Sequence, residues 1–215
     1  MKTTACLFAL ALASAFAAAP VMAVPAMHAP AAANPVPAAP QLDAAMRSLW
    51  HGHIVHTRDY AMAVHAHDNA KATAAADAVV ANAKQIAHAV GGFYGKSAGA
   101  RMLELLAGHW GGVKALTDAR AANDQAGEQK AMSTLDTNAH AIATFLSGAN
   151  PNLPESAVYG LMTTHVAQHG TEIQQIMSGD MHGEQATWQA MQAHMDMLSD
   201  ALAGAIAKQF PAKAK

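Results

Sequence analysis

The sequence predicts an all-α fold: a multi-helix antiparallel bundle of about six helical stretches, following a cleaved signal peptide and a Pro/Ala-rich tether. Three observations carry this expectation. From Gln41 onward no run of alternating β-branched residues occurs, and Ala, Leu, Met and Gln dominate. Apolar residues recur three and four apart instead, as in Leu42, Met46 and Leu49 or in Met102, Leu105 and Leu106. Clusters of Gly, Pro and Asn then interrupt this periodicity, and short turns of that kind pack successive helices antiparallel.

The elements follow in order. Residues 1–23 read as the signal peptide: Lys2 is the positive start, Ala5 to Ala19 the apolar run, and Val21-Met22-Ala23 the small residues before cleavage. That run is shorter than the roughly 20 residues of a membrane span, and no later segment is apolar enough to cross a bilayer. The sequence therefore predicts a periplasmic or secreted protein beginning near Val24. Residues 24–40, with Pro25, Pro30, Pro35, Pro37 and Pro40, read as an extended linker. The bundle domain should span 41–211, with helices over 41–67, 70–91, 97–122, 126–147, 154–178 and 184–208.

Gly91-Gly92 and Gly95 mark one turn, and Asn123 to Gly127 a polar one. Asn150-Pro151-Asn152-Leu153-Pro154 marks a sharper turn, Gly179 and Gly183 bracket the next, and Pro211 closes the last helix. The break at Asp68-Asn69 is weak, so the first two stretches are open to being one bent helix. No internal repeat stands out.

Composition narrows the chemistry. The single cysteine, Cys6, lies in the signal, which removes disulfides, thiolate catalysis, thiolate metal sites and Cys-x-x-Cys-His haem attachment from the mature chain. Loss of Lys2 leaves 12 of the 13 Lys and Arg against 15 Asp and Glu, a net charge of −3 with neutral histidines. No basic stripe for nucleic acid results. The 13 histidines all lie beyond the cleavage site, and 13 methionines accompany them.

Each histidine can be placed on its helix at about 100° per residue. His53 and His56 fall in the apolar stripe of the first helix, and His109 at the centre of the third. His165 and His169 lie in that of the fifth, with Glu172 at its edge, and His194 borders that of the sixth. His51, His65, His88 and His140 face outward. The sharpest pattern is His165-x-x-x-His169-x-x-Glu172, whose spacing stacks both rings and the carboxylate on one face. Helix-borne ligands of this kind hold divalent metals, whereas the blander reading makes them core histidines bonded to their neighbours. Met191-x-x-His194-Met195 and Met177 with Met181-His182 suggest a softer, copper-like donor set, although methionines at helical spacing are commonly core filler.

Other chemistries lack their marks. The paired Glu-x-x-His of di-iron bundles is missing, as are a Gly-x-Ser-x-Gly elbow, a phosphate loop and a dinucleotide fingerprint. Haem between facing histidines is disfavoured by the 5% aromatic content.

Several segments together resemble a family of small bacterial helical-bundle proteins without an established function. They are Leu49-Trp50 with His53 and Thr57-Arg58-Asp59-Tyr60, and Phe93-Tyr94-Gly95 with Ala98-Gly99. Leu105-Leu106 with His109, Ile142 to Pro154, His165, Glu172, His194 and Lys208-Gln209-Phe210-Pro211 complete them. The resemblance spans residues 48–211 and implies a shared all-α fold with His53, His109, His165 and His194 as the family's histidines. Family members sometimes carry transferase or kinase labels, for which these residues show no chemistry. The extra histidines His51, His56, His65, His67 and His169 depart from the family pattern.

The sequence thus predicts a metal-binding bundle. His53, His109, His165 and His194 form its inner site, with Glu172, His56 and His169 as additional ligands or supports, for copper or zinc buffering or tolerance. The alternatives are a structural or partner-binding envelope protein with a hydrogen-bonded histidine core, and, behind it, a metal- or haem-dependent enzyme.

Overall fold

The computed structural model describes residues 39–214; the expected signal peptide and nearly all of the expected linker lie outside the described residues. The chain forms six helices: α1 (Pro40–His65), α2 (Asn69–Tyr94), α3 (Lys96–Ala121), α4 (Gln125–Ala149), α5 (Glu155–Ser178) and α6 (Met181–Gln209). Among the described residues there is no strand. Pro40 opens α1, where its missing N–H costs nothing.

Two turns differ from expectation. Gly91 and Gly92 belong to the last turn of α2, and the chain reverses at Gly95 alone, with φ +93°. Gly91 serves close packing instead. A Cβ on Gly99 of α3 would stand 3.1 Å from the Gly91 Cα and 2.8 Å from the Ala87 carbonyl oxygen, so bare backbones meet here. At Asp68 the weak break is a full reversal, and α1 and α2 are separate helices.

Each helix packs on its sequence neighbours, and α6 closes the ring by packing on α1. The odd helices also pack on one another, α1 with α3, α1 with α5 and α3 with α5. They form an inner trio, and each even helix fills the outer groove between two of them. Short connections make the odd helices run in one direction and the even helices in the other.

This arrangement is a threefold repeat, which the sequence reading did not detect. Positions 53, 109 and 165 are histidines 56 residues apart. At the same spacing Leu49, Leu105 and Leu161 precede them, and Ile86, Ile142 and Leu198 line the core. The turns repeat most faithfully. His67, Asn123 and Gly179 all adopt the left-handed conformation, with φ of 55°, 55° and 76°. The next residues, Asp68, Asp124 and Asp180, return their N–H to the carbonyls of Ala63, Ala119 and Gln175 at 2.9, 2.8 and 2.9 Å. This six-to-one bond satisfies a helix end that would otherwise leave carbonyls orphaned. Each of these aspartates then caps the following helix, accepting from the N–H of Lys71, Gly127 and Gly183 at 3.0, 3.0 and 2.9 Å. One helix–turn–helix hairpin has been used three times.

Candidate metal centre

The repeat places its histidine on the inward face of each odd helix, so His53, His109 and His165 converge on the bundle axis. Their ring centroids form a near-equilateral triangle, 5.5 Å from 53 to 109, 5.6 Å from 53 to 165 and 5.4 Å from 109 to 165. His169, one turn along α5, stands over this triangle at 4.3 Å from His165 and 5.9 Å from each of the other two. One nitrogen from each of the four rings lies within 4.8 Å of the others. A tetrahedral ion with Zn–N bonds of about 2.0–2.1 Å would need them roughly 3.3 Å apart, so the rings would close in on it.

All four rings are at most 4% exposed. Burial lowers the His53 pKa to about 3, aided by the neighbouring His109 and His56, and lowers that of His109 to about 4. His165 and His169 are also held well below the ordinary range, by burial first and by the other histidines second. The rings are therefore neutral, the form a metal requires. Six of their nitrogens have no hydrogen-bond partner: His53 Nε2, His165 Nδ1, and both nitrogens of His109 and His169. Buried polar atoms are almost always paired, and the unpaired ones here lie on four converging rings that could hold a metal ion.

On the side of His169 lies a charged layer. Glu172 is 1% exposed, with Oε2 at 3.9 Å from His169 Nδ1 and Oε1 at 3.9 Å from Arg58 Nε. Arg58 pairs bidentately with the buried Glu184, Nη2 to Oε2 at 3.0 Å, and lies 4.9 Å above the Trp188 ring. Burial, with the Glu184 charge adding to it and Arg58 opposing, raises the Glu172 pKa to about 8. Glu172 stands where a carboxylate can orient His169 through its second nitrogen. The sequence reading found Glu172 but missed Arg58 and Glu184. Arg58 lies within Thr57-Arg58-Asp59-Tyr60, where no spacing singles it out, and Glu184 adjoins Gly183, which by residue type alone marks a turn.

Two expected ligands fall outside the cluster. His194 is buried, but its Nε2 meets the Leu161 carbonyl oxygen at 2.9 Å. Its repeat equivalents explain this: Asn82 and Asn138 donate to the Leu49 and Leu105 carbonyls at 2.9 and 3.0 Å. His194 thus acts as the third of three struts between an even and an odd helix. His56 is half-buried and lines the surface groove between α1 and α2, because 56 lies about 60° off the direction of 53, on the side toward α2. His51, His65, His88 and His140 are exposed, as are Met181 and His182.

On the other side of the triangle is a small apolar cavity of about 20 Å³, room for one water-sized molecule. Among its lining residues are His53, His109 and His165, with Trp50, Leu106 and Met162 one turn before them. His169 does not reach it. Compared with known proteins, the chain matches no family model, no curated protein and no solved structure.

Proposed function

We propose that this protein binds a transition-metal ion through His53, His109, His165 and His169, with Glu172 orienting His169, and that it buffers or confers tolerance to copper or zinc in the periplasm. The observation that carries the reading is the convergence of neutral, unpaired imidazole nitrogens on one point inside the fold. Imidazole donors suit zinc and copper, and four of them from three hairpins make a site that only the folded chain assembles. Enclosure favours holding the ion over turning over a substrate: the four rings are at most 4% exposed, and the cavity they border has room for about one water-sized molecule. A hydrogen-bonded histidine core fits less well, because such rings would pair their nitrogens with each other or with carbonyls. The expected signal peptide supports the exported location.

Metal analysis of the tag-free protein is the test. The expected result is about one equivalent of zinc or copper retained, or taken up with a large rise in melting temperature. A protein that purifies metal-free and shows no thermal shift with either ion overturns the reading.

A further inference from the structure

The four histidines are unequal in what lies behind them, and this bears on what the centre can take besides the ion. His53, His109 and His165 form a triangular face whose far side borders the apolar cavity. Every other odd-helix residue lining that cavity precedes the histidine of its own helix: Trp50 before His53, Leu106 before His109, and Val158, Leu161 and Met162 before His165. His169 follows His165 and lies toward Glu172, so it occupies the opposite pole. Three rings around the waist and one at a pole leave the second pole facing the cavity.

Trp50 supplies an independent observation. Its side chain is 5% exposed and lines the cavity, its ring lies 6.2 Å from that of His53, and its indole N–H has no acceptor. Apart from the imidazoles it is the only lining side chain with an N–H to donate. A buried donor left unpaired is costly unless something accepts from it.

We propose that the ion held here keeps its second polar position open toward the cavity, and that, where that ion is copper, whose d electrons back-bond, a small neutral diatomic ligand of the nitric oxide or carbon monoxide class binds there, accepting a hydrogen bond from Trp50. The proposal rests on the metal reading above. Size sets the first limit, since about 20 Å³ admits nothing larger than a molecule of a few atoms. Polarity sets the second. The cavity wall carries no Lys or Arg, so an anion would lose its hydration without a cation beyond the ion itself to replace it. Water is poorly served as well, because it needs two to four polar partners and the wall outside the histidines offers one. A second apolar cavity of about 30 Å³ shares Trp50, Leu146, Leu153 and Leu202 with the first and continues toward the helix ends, giving a neutral ligand an apolar path. Binding is reversible: one metal–ligand bond forms, and no bond within the protein breaks.

The test uses the full chain loaded anaerobically with cobalt(II), whose visible band is strong when four-coordinate and weak when five-coordinate. Cobalt content is measured first, and nitric oxide and azide are then added separately. The expected result is a saturable weakening and shift of the band with nitric oxide and none with azide. Trp50→Phe should keep cobalt while weakening nitric oxide binding roughly fivefold, the equivalent of one hydrogen bond. Leu198→Phe, which fills the cavity, should keep cobalt and lose the nitric oxide response. If that variant does not fold, Trp50→Phe still decides. Stoichiometric cobalt without a nitric oxide response overturns the open position, a response indifferent to Trp50→Phe overturns the role of Trp50, and either leaves the metal reading standing. Failure to bind cobalt, zinc or copper removes both.

Discussion

The third hairpin differs from the first two at the positions that face the axis. In α1–α2 and α3–α4 each odd helix offers one inward histidine, and an asparagine braces the carbonyl one turn before it. In α5–α6 the corresponding strut is His194. Position 57 is Thr and 113 is Val, both buried, where the third hairpin has His169; Tyr60 and Leu116 stand where it has Glu172. The repeat therefore supplies three equivalent histidines, and one copy of it adds the polar pole and the charged layer. Symmetry explains the triangle, and the departure from symmetry gives the centre two unlike faces.

The largest expected effect breaks the symmetric part. His109→Leu should cost more than a hundredfold in zinc or copper affinity, and His53→Leu a similar amount, because each removes a ligand from the waist. His169→Val, which restores the residue of the second hairpin, should cost less while leaving a three-histidine site. Competition titration against a chelator of known affinity checks the order. Equal losses at 169 and 109 would show four interchangeable ligands rather than a triangle and a pole.

Next in size is the dependence on pH, where the two faces oppose each other. The cluster histidines have folded-state values far below their usual 6.5, with His53 at about 3 and His109 at about 4. The unfolded chain therefore takes up protons first. Their contribution is complete above pH 6.5 and is lost as pH falls toward 4, at up to about 1.4 kcal/mol per pH unit for each ring. Glu172 acts in the other direction. With its pKa raised from 4.5 to about 8, the folded state keeps a proton that the unfolded chain releases between those values, so stability falls as pH rises through that window. Four groups outweigh one below 6.5, and Glu172 acts alone above it. Melting temperature of the metal-free protein should peak near pH 6.5 and fall steeply toward pH 5, with the loaded form losing more because the ion leaves. A flat profile between pH 7 and pH 5 would mean the rings are not buried neutral.

A smaller effect sharpens the charged pole. Arg58→Met leaves the buried Glu184 without its cation and removes the charge that opposes protonation of Glu172, at a cost of about 2–3 kcal/mol given that Arg58 is itself partly exposed. Thermal unfolding of the metal-free chain reads this directly. The smallest effects concern the strut and the turn. His194→Asn copies the other hairpins, so metal affinity should change by less than about threefold, and melting temperature little. A large loss of metal would return His194 to the ligand set. His67→Gly relieves a left-handed histidine at the turn where the third hairpin already has Gly179, and should stabilise by roughly 1 kcal/mol or less.

Helix existence and most boundaries were legible because apolar periodicity and Gly or Pro punctuation are local signals. Gly91-Gly92 misled because glycine marks a turn and a close helix contact with the same letter, and only the position of Gly99 on the facing helix separates the two. Among the candidate ligands, His53, His109, His165 and His169 were readable from their own helices, since an apolar stripe points to the axis. His56 and His194 were not. Whether a residue in the stripe, like His56, or at its border, like His194, meets the axis or a neighbouring helix depends on the crossing of two helices, which no single-helix projection contains. The repeat was written in the sequence at a spacing of 56, but its marks are a few residues in each hairpin: a leucine, a histidine, an aspartate and an isoleucine or leucine. Such sparse identity escapes a reading that looks for similar segments rather than similar offsets.

The closed ring has a consequence for chain order. Because α6 packs on α1, the start of the first hairpin and the end of the third lie at one end of the bundle, where Arg47 reaches Asp200 with Nε to Oδ1 at 3.0 Å. The helices form a cycle of three like units in which any hairpin can come first. A circularly permuted chain that starts at Lys96, with a short linker joining Phe210 to Pro40, would preserve every helix and every helix–helix neighbour. The triangle at the axis would then be assembled in the order His109, His165, His53, with the same three rings meeting at the same place. What the site requires is the cyclic neighbourhood of the three hairpins, and the linear sequence is one of three equivalent ways of writing it.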